Sequence, residues 1–249
     1  DYKKAKEYFQ LSMDKNNSSG IMHMGNLFDY GFGVPQDYKK AIQYYQKSAE
    51  LKNSGAMNFL GVHYIKGIGV KRDIKKARKF FKESAKLGNS NALNFLGNIY
   101  LTGEGVKINY LKAKKYFQQA LEKSNHNAYI HIGNLYLSGY GFTKDYKKAK
   151  DYFNLAIKHG NSDAFIGLGF LYLIGLGVEK DFNKAKELFE SSSQRNNIFA
   201  DIYIGNLYFY GQGVKRDYKK AIEYFKKSLK KGNSKAYNNL GKVYCDNYG

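Results

Sequence analysis

Apolar and polar positions along this chain form two alternating amphipathic runs. In residues 56–91, Ala56, Leu60, His63 and Tyr64 recur at i, i+4, i+7 and i+8, one face of a helix. After a Gly-x-Gly-Val step, Ala77, Phe80, Phe81, Ser84 and Ala85 mark the buried face of a second helix. Gly67 suits a left-handed C-cap for the first run, and Asp73 suits the N-cap of the second. Gly88-Asn89-Ser90 then ends the second helix and caps the next one. The unit repeats every 36 residues. Glycine returns at Gly25, Gly61, Gly97, Gly133, Gly169, Gly205 and Gly241; alanine returns at Ala5, Ala41, Ala77, Ala113, Ala149, Ala185 and Ala221. A fixed period of this length marks a solenoid of stacked helical hairpins.

The pattern predicts an all-α chain of about 14 helices in helix-turn-helix units. Hairpins are expected from 20, 56, 92, 128, 164 and 200, with partial units over 1–19 and 236–249. One solenoid domain is expected over 1–249. Asp1-Tyr2-Lys3-Lys4-Ala5 is already mid-repeat, matching Asp37-Tyr38-Lys39-Lys40-Ala41, so the expectation is a fragment of a longer array. Glycine inside a helix costs about 1 kcal/mol against alanine. Its return at one helical position implies close helix approach, with Gly61 and Ala77 making room for Tyr64, Phe80 and Phe81. The column Phe28, Tyr64, Tyr100, Tyr136, Tyr172, Tyr208 and Tyr244 is assigned to the core, not to base stacking. Gly167 and Ser191-Ser192-Ser193 interrupt helices, so hairpin 164–199 is expected to be the softest.

The pattern Ala-x4-Gly-x2-Tyr-x2-Gly-x-Gly-Val-x2-Asp-x2-Lys-Ala-x2-Tyr/Phe-Phe, carried for example by Ala56 through Phe81, resembles the Sel-one-like repeat, a relative of the tetratricopeptide repeat. The resemblance covers the whole chain without an insertion. It implies a right-handed α/α superhelix acting as a non-catalytic adaptor or scaffold. A cysteine-rich bacterial branch closes each repeat with a disulfide; this chain, with Cys245 alone, departs from that branch.

In tetratricopeptide relatives the first helix of each hairpin lines the concave groove, so the resemblance assigns three columns to a groove. The column after the repeated glycine holds Asn26, Asn98, Asn134, Phe170 and Asn206; the column three before it holds Asn58, Asn94, Ile130, Ile166 and Ile202. The third, five after the glycine, runs from Tyr30 to Asp246. Asparagine side chains offer donors and an acceptor to an extended peptide backbone. Asn26, Asn98, Asn134 and Asn206 are therefore candidate peptide ligands, beside an apolar patch of Ile130, Ile166, Phe170 and Ile202. Solvated asparagines in an asparagine-rich chain are the competing account.

Charge adds a second surface. The net charge is +20. Residues 56–91 hold nine Lys/Arg and two Asp/Glu, residues 200–235 nine and three, and residues 164–199 four and four. The candidate basic docking residues are Lys71, Arg72, Lys75, Lys76, Lys215, Arg216, Lys219 and Lys220, facing an acidic protein, an anionic membrane surface or nucleic acid. A solvated lysine-rich face is the competing account. Nucleic acid is disfavoured, because no recognised binding motif is present. No run of 18 apolar residues spans a membrane. Gly-x-Gly lacks the strand and third glycine of a dinucleotide site, and His23, His63, His126, His131 and His159 lack metal spacing. The expectation is no catalytic residue, no metal and no cofactor, with a protein or peptide partner and a possible place in a larger complex. Localisation leans to the cytoplasm and leaves the endoplasmic reticulum open.

Overall fold

The computed structural model describes the backbone of residues 1–248 and the side chains of residues 1–246. Among them are fourteen helices and no strand: α1 (Tyr2–Asp14), α2 (Ser18–Tyr30), α3 (Tyr38–Glu50), α4 (Ser54–Lys66), α5 (Ile74–Lys86), α6 (Ser90–Thr102), α7 (Tyr110–Glu122), α8 (Ala128–Ser138), α9 (Tyr146–Lys158), α10 (Asp163–Ile174), α11 (Phe182–Gln194), α12 (Ala200–Tyr210), α13 (Tyr218–Lys230) and α14 (Lys235–Tyr248). Even-numbered helices lead each hairpin and odd-numbered helices trail. The chain divides into two compact units, Asp1–Ala128 and Tyr129–Gly249.

Local chemistry sets the helix ends. Asp37, Asp73, Asp145, Asp181 and Asp217 cap the trailing helices, each accepting the backbone N–H three residues on, and Asn109 does the same for α7. Leading helices α2, α4 and α6 start at Ser18, Ser54 and Ser90, about half a turn ahead of residues 20, 56 and 92. The cause is Asn17, Asn53 and Asn89, whose side chains cap them. Gly67 ends α4 at φ 70°. At the exit of the trailing helices the chain also turns left-handed, and there Lys52 and Ser124 adopt φ of 58° and 57° where Gly88 and Gly160 stand in other repeats.

Six of the repeated glycines, Gly25, Gly61, Gly97, Gly133, Gly169 and Gly205, face a column of rings from the trailing helices, and Gly241 in α14 faces none. Tyr45, Phe81 and Phe117 in the first unit and Phe153, Phe189 and Phe225 in the second have no exposed surface. A Cβ at Gly61 would lie 2.4 Å from Phe81 Cε1, and one at Gly205 would lie 2.5 Å from Phe225 Cε1. The close approach therefore admits the Phe81 column.

The tyrosine column lies further out than the core position expected of it. Tyr100 is buried, but Phe28, Tyr64, Tyr136, Tyr172 and Tyr208 are half-buried and Tyr244 is exposed. The reason is their partners. Phe28, Tyr64, Tyr100, Tyr136 and Tyr208 stack on Tyr44, Phe80, Tyr116, Tyr152 and Tyr224, at 5.6 to 5.8 Å between centroids. Lys40, Lys76, Lys112, Lys148 and Lys220 lie over the same leading-helix rings, 4.4 to 5.5 Å from their centres. Ring faces are thus covered on both sides.

Serines of the trailing helices tie four of the hairpins shut, and Ala120 and Ala156 stand in the same place in α7 and α9. Ser48 and Ser84 Oγ donate to the carbonyls of Ser18 and Ser54 at 2.7 Å, and Ser192 and Ser228 Oγ donate to those of Ser162 and Ile198 at 3.0 Å.

Candidate functional site

In the second unit, α8, α10 and α12 present a groove of about 460 Å³. Ile130, Leu137, Ile166 and Phe170 supply apolar walls; His131, Asn134, Asp163 and Tyr203 supply polar edges; Gly167 and Phe199 complete the lining. Gly167 explains the opening. In five other repeats its column is aromatic, with His23, Phe59, Phe95, His131 and Tyr203, and in the last it is Asn239. Phe95 and Tyr203 stack on the buried rings of Phe81 and Phe189 at 4.8 and 4.9 Å. At Gly167 no ring covers Phe153, and a Cβ there would meet Phe153 Cζ at 2.7 Å. The glycine expected to weaken its helix is the point at which the groove opens.

Of the residues assigned to a groove from sequence, this opening brings together Ile130, Asn134, Ile166 and Phe170. Ile202 and Asn206 are half-buried on α12 outside the lining. Asn134 is exposed, whereas burial depresses the pKa of His131, against Asp163, and raises that of Tyr203.

The first unit places its asparagines differently. Asn26 Oδ1 accepts the Tyr45 hydroxyl at 2.8 Å. Asn94 is 9% exposed; its Nδ2 donates to Asn125 Oδ1 at 3.0 Å while its own Oδ1 is buried without a hydrogen bond. Asn58 Oδ1 is likewise buried and unbonded, and Asn98 is half-buried. Asn26 and Asn94 are therefore hydrogen-bonded within the fold. The basic candidates divide in the same way. Arg72 pairs with Glu104 and donates to the Ile65 carbonyl, Arg216 donates to the Tyr218 hydroxyl, and Lys76 and Lys220 lie over rings. Lys71, Lys75, Lys215 and Lys219 are exposed.

One buried polar network escaped the sequence reading. Asp29 and His63 occupy columns that otherwise hold apolar side chains, and Tyr45 stands where other repeats have phenylalanine. These departures meet. Tyr45 OH lies 3.0 Å from Asp29 Oδ2, and His63 Nε2 lies 3.2 Å from the same atom. His63 Nδ1 faces the Ile68 carbonyl at 2.9 Å, so both ring nitrogens meet acceptors and only the imidazolium satisfies both. Burial opposes that cation, but the hydrogen bonds to Asp29 and Ile68 outweigh it and raise the His63 pKa. A raised folded pKa gives stabilisation that is complete below the unfolded value, about 6.5, and lost as pH rises through the folded one. The thermal midpoint is expected to fall between about pH 6 and about pH 8, and Asp29→Leu with His63→Leu to flatten that slope. Equal slopes in a thermal melt series would refute this origin.

Hairpins stacked on one repeated ring-against-glycine contact define a helical-repeat protein. Residues 1–17, 18–53, 54–89, 90–125, 126–161, 163–197 and 199–233 each match the Sel1 repeat, and the chain belongs to that family. It is similar in structure to a Sel1 repeat protein from Oxalobacter formigenes, with 32% identity, a TM-score of 0.80, and 91% of this chain and 94% of that one covered. It is also similar to c5321, a protective antigen of uropathogenic Escherichia coli with an SLR fold, at 28% identity and TM-score 0.50; the match covers 99% of this chain and 61% of that one. The immunity protein Pa5087 from Pseudomonas aeruginosa shares the fold at 18% identity and TM-score 0.60, covering 86% of this chain and 81% of that one. No curated protein matches the sequence. Sel1 repeats commonly mediate protein–protein interaction and are generally non-catalytic scaffolds. No helix among the described residues is long and apolar enough to cross a membrane.

Proposed function

We propose that this chain is a non-catalytic scaffold that holds an extended segment of a partner protein in the groove over Gly167. The observation that carries this reading is the coincidence of a helix face without a ring at Gly167 with apolar walls and an exposed amide. Ile130, Ile166 and Phe170 can take an apolar anchor, and Asn134 can bond the backbone beside it. The volume of about 460 Å³ falls in the range of ligand sites. Hairpin 164–199 is electrically neutral, so apolar contact should dominate, with little dependence on salt.

The test is selection of a displayed peptide library on the wild-type chain. Enriched peptides are expected to share a large apolar residue and to bind Phe170→Lys at least about tenfold more weakly. Asn134→Ala should weaken them by about three- to tenfold. Selected peptides that bind all three proteins alike would sink the reading.

A further inference from the structure

Between α5 and α7 the trailing-helix side of the first unit holds a pocket of about 540 Å³. Half-buried Tyr116 and Ala85 give it apolar surface over the buried Leu93 and Leu96, and Lys82, Lys86 and Lys123 stand with Glu122 around it. Among the described residues none of these three lysines forms an ion pair. Lys86 and Lys123 sit at the C-terminal ends of α5 and α7, whose dipoles carry only about half a negative charge each, too little to neutralise them.

The same register three repeats later shows what such a place binds. Asp201 stands at the position of Leu93, Ser193 at that of Ala85, Lys227 at that of Gln119 and Lys231 at that of Lys123. There the Asp201 carboxylate is buried and accepts from Ser193 Oγ at 2.6 Å, with Lys227 Nζ at 3.2 Å and Lys231 Nζ at 2.7 Å. One repeat closer, the Arg195 guanidinium covers the Phe165 ring at 4.7 Å in the equivalent place. In the α5/α7 pocket Leu93 replaces that acid, and among the described residues no guanidinium covers the place.

We propose that the α5/α7 pocket docks an acidic segment of a partner protein, whose carboxylate pairs with Lys82, Lys86 and Lys123 as Asp201 pairs with Lys227 and Lys231 in the second unit, and whose apolar neighbour rests on Tyr116 and Ala85. Nucleic acid fits poorly, because the Tyr100 and Tyr116 faces are stacked on each other at 5.7 Å and Lys112 lies over Tyr100 at 4.4 Å, leaving no platform for bases. A lipid surface would need a flat basic face and has no use for a recessed apolar floor.

The probe is a fluorescein-labelled peptide, Glu-Asp-Leu-Phe-Glu-Asp, followed by anisotropy. Saturable binding is expected, with the Gln-Asn-Leu-Phe-Gln-Asn peptide at least about tenfold weaker. Lys82→Glu with Lys123→Glu should lose about tenfold or more, whereas Lys39→Glu with Lys47→Glu, the same change of net charge at exposed lysines on α3, should stay within about twofold. Building in the acid, by Ala85→Ser, Leu93→Asp and Gln119→Lys together, should abolish binding while helix content is kept. Phe170→Lys should bind as the wild type does, so failure here and failure of the Gly167 groove are separate results. Equal losses from the two charge reversals, wild-type binding by the built-in acid, no saturable binding, or competition of equal strength by oligothymidylate or phosphatidylserine vesicles would overturn the proposal.

Discussion

Gly61→Ala is expected to destabilise the chain by about 2–3 kcal/mol, although helix propensity alone predicts about 1 kcal/mol of stabilisation. The added methyl would lie 2.4 Å from Phe81 Cε1 and 2.7 Å from Cδ1 and Cζ. Phe81 cannot retreat: it is fully buried and stacks on Phe95 at 4.8 Å. The cost is therefore borne by backbone shifts between α4 and α5. Shortening the ring should recover part of it. Phe81→Leu alone removes core volume and costs about 1–3 kcal/mol, but Gly61→Ala with Phe81→Leu should cost at least about 1 kcal/mol less than the two effects added. Gly88→Ala is the control for backbone conformation, since φ is 93° there and nothing lies within 4 Å. It should cost about 1–2 kcal/mol with no dependence on Phe81. Urea unfolding followed by helical circular dichroism measures all four variants, and a raised midpoint for Gly61→Ala would refute the close-contact account.

That contact was legible in the sequence because a repeat states the same local fact many times. A glycine that returns at one helical position signals a packing rule, which Gly25, Gly61, Gly97, Gly133, Gly169 and Gly205 follow, and the Asp and Asn caps follow from side chains bonding their own backbone a few residues on. Partnerships between different columns were not legible. Asp29, Tyr45 and His63 each look like an isolated departure, and only the stacking of α2, α3 and α4 brings them onto one carboxylate oxygen. Ser191-Ser192-Ser193 reads as a weak helix by composition. In the fold, Ser192 closes its own hairpin and Ser193 holds Asp201. Gly167 also looks like a defect until the ring of Phe153 is placed beneath it. The internal hydrogen bonds of Asn26 and Asn94 were hidden for the same reason: their partners, Tyr45 on α3 and Asn125 in the loop before α8, lie elsewhere in the chain. Periodicity fixes what each repeat shares, whereas the sites arise where repeats differ.

Asp201→Asn should then be among the most damaging single substitutions in the second unit, at about 2–3 kcal/mol, and Asp201→Leu should be milder. Removing one member of a buried ion pair typically costs about 3–5 kcal/mol because the other charge is stranded. Here Lys227 is 52% exposed and can turn to solvent, which lowers the figure; Lys231 is 17% exposed and cannot do so as freely. Asparagine keeps a buried polar group while losing the charge. Leucine restores the apolar character that the column has at Leu93 and regains burial, so the order of the two variants separates the ion pair from simple packing. Acid gives an independent check. Burial would raise the Asp201 pKa, but hydrogen bonds from Lys231, Ser193 and Lys227 prevail and lower it. A lowered folded pKa means stabilisation that is present above the unfolded value, about 3.9, and lost as pH falls through the folded one. The stability difference between wild type and Asp201→Leu should therefore narrow or reverse as pH falls from about 5 to about 2. If it stays constant in urea titrations across that range, the carboxylate titrates alike in the folded and unfolded chain, and the ion pair contributes no net stability.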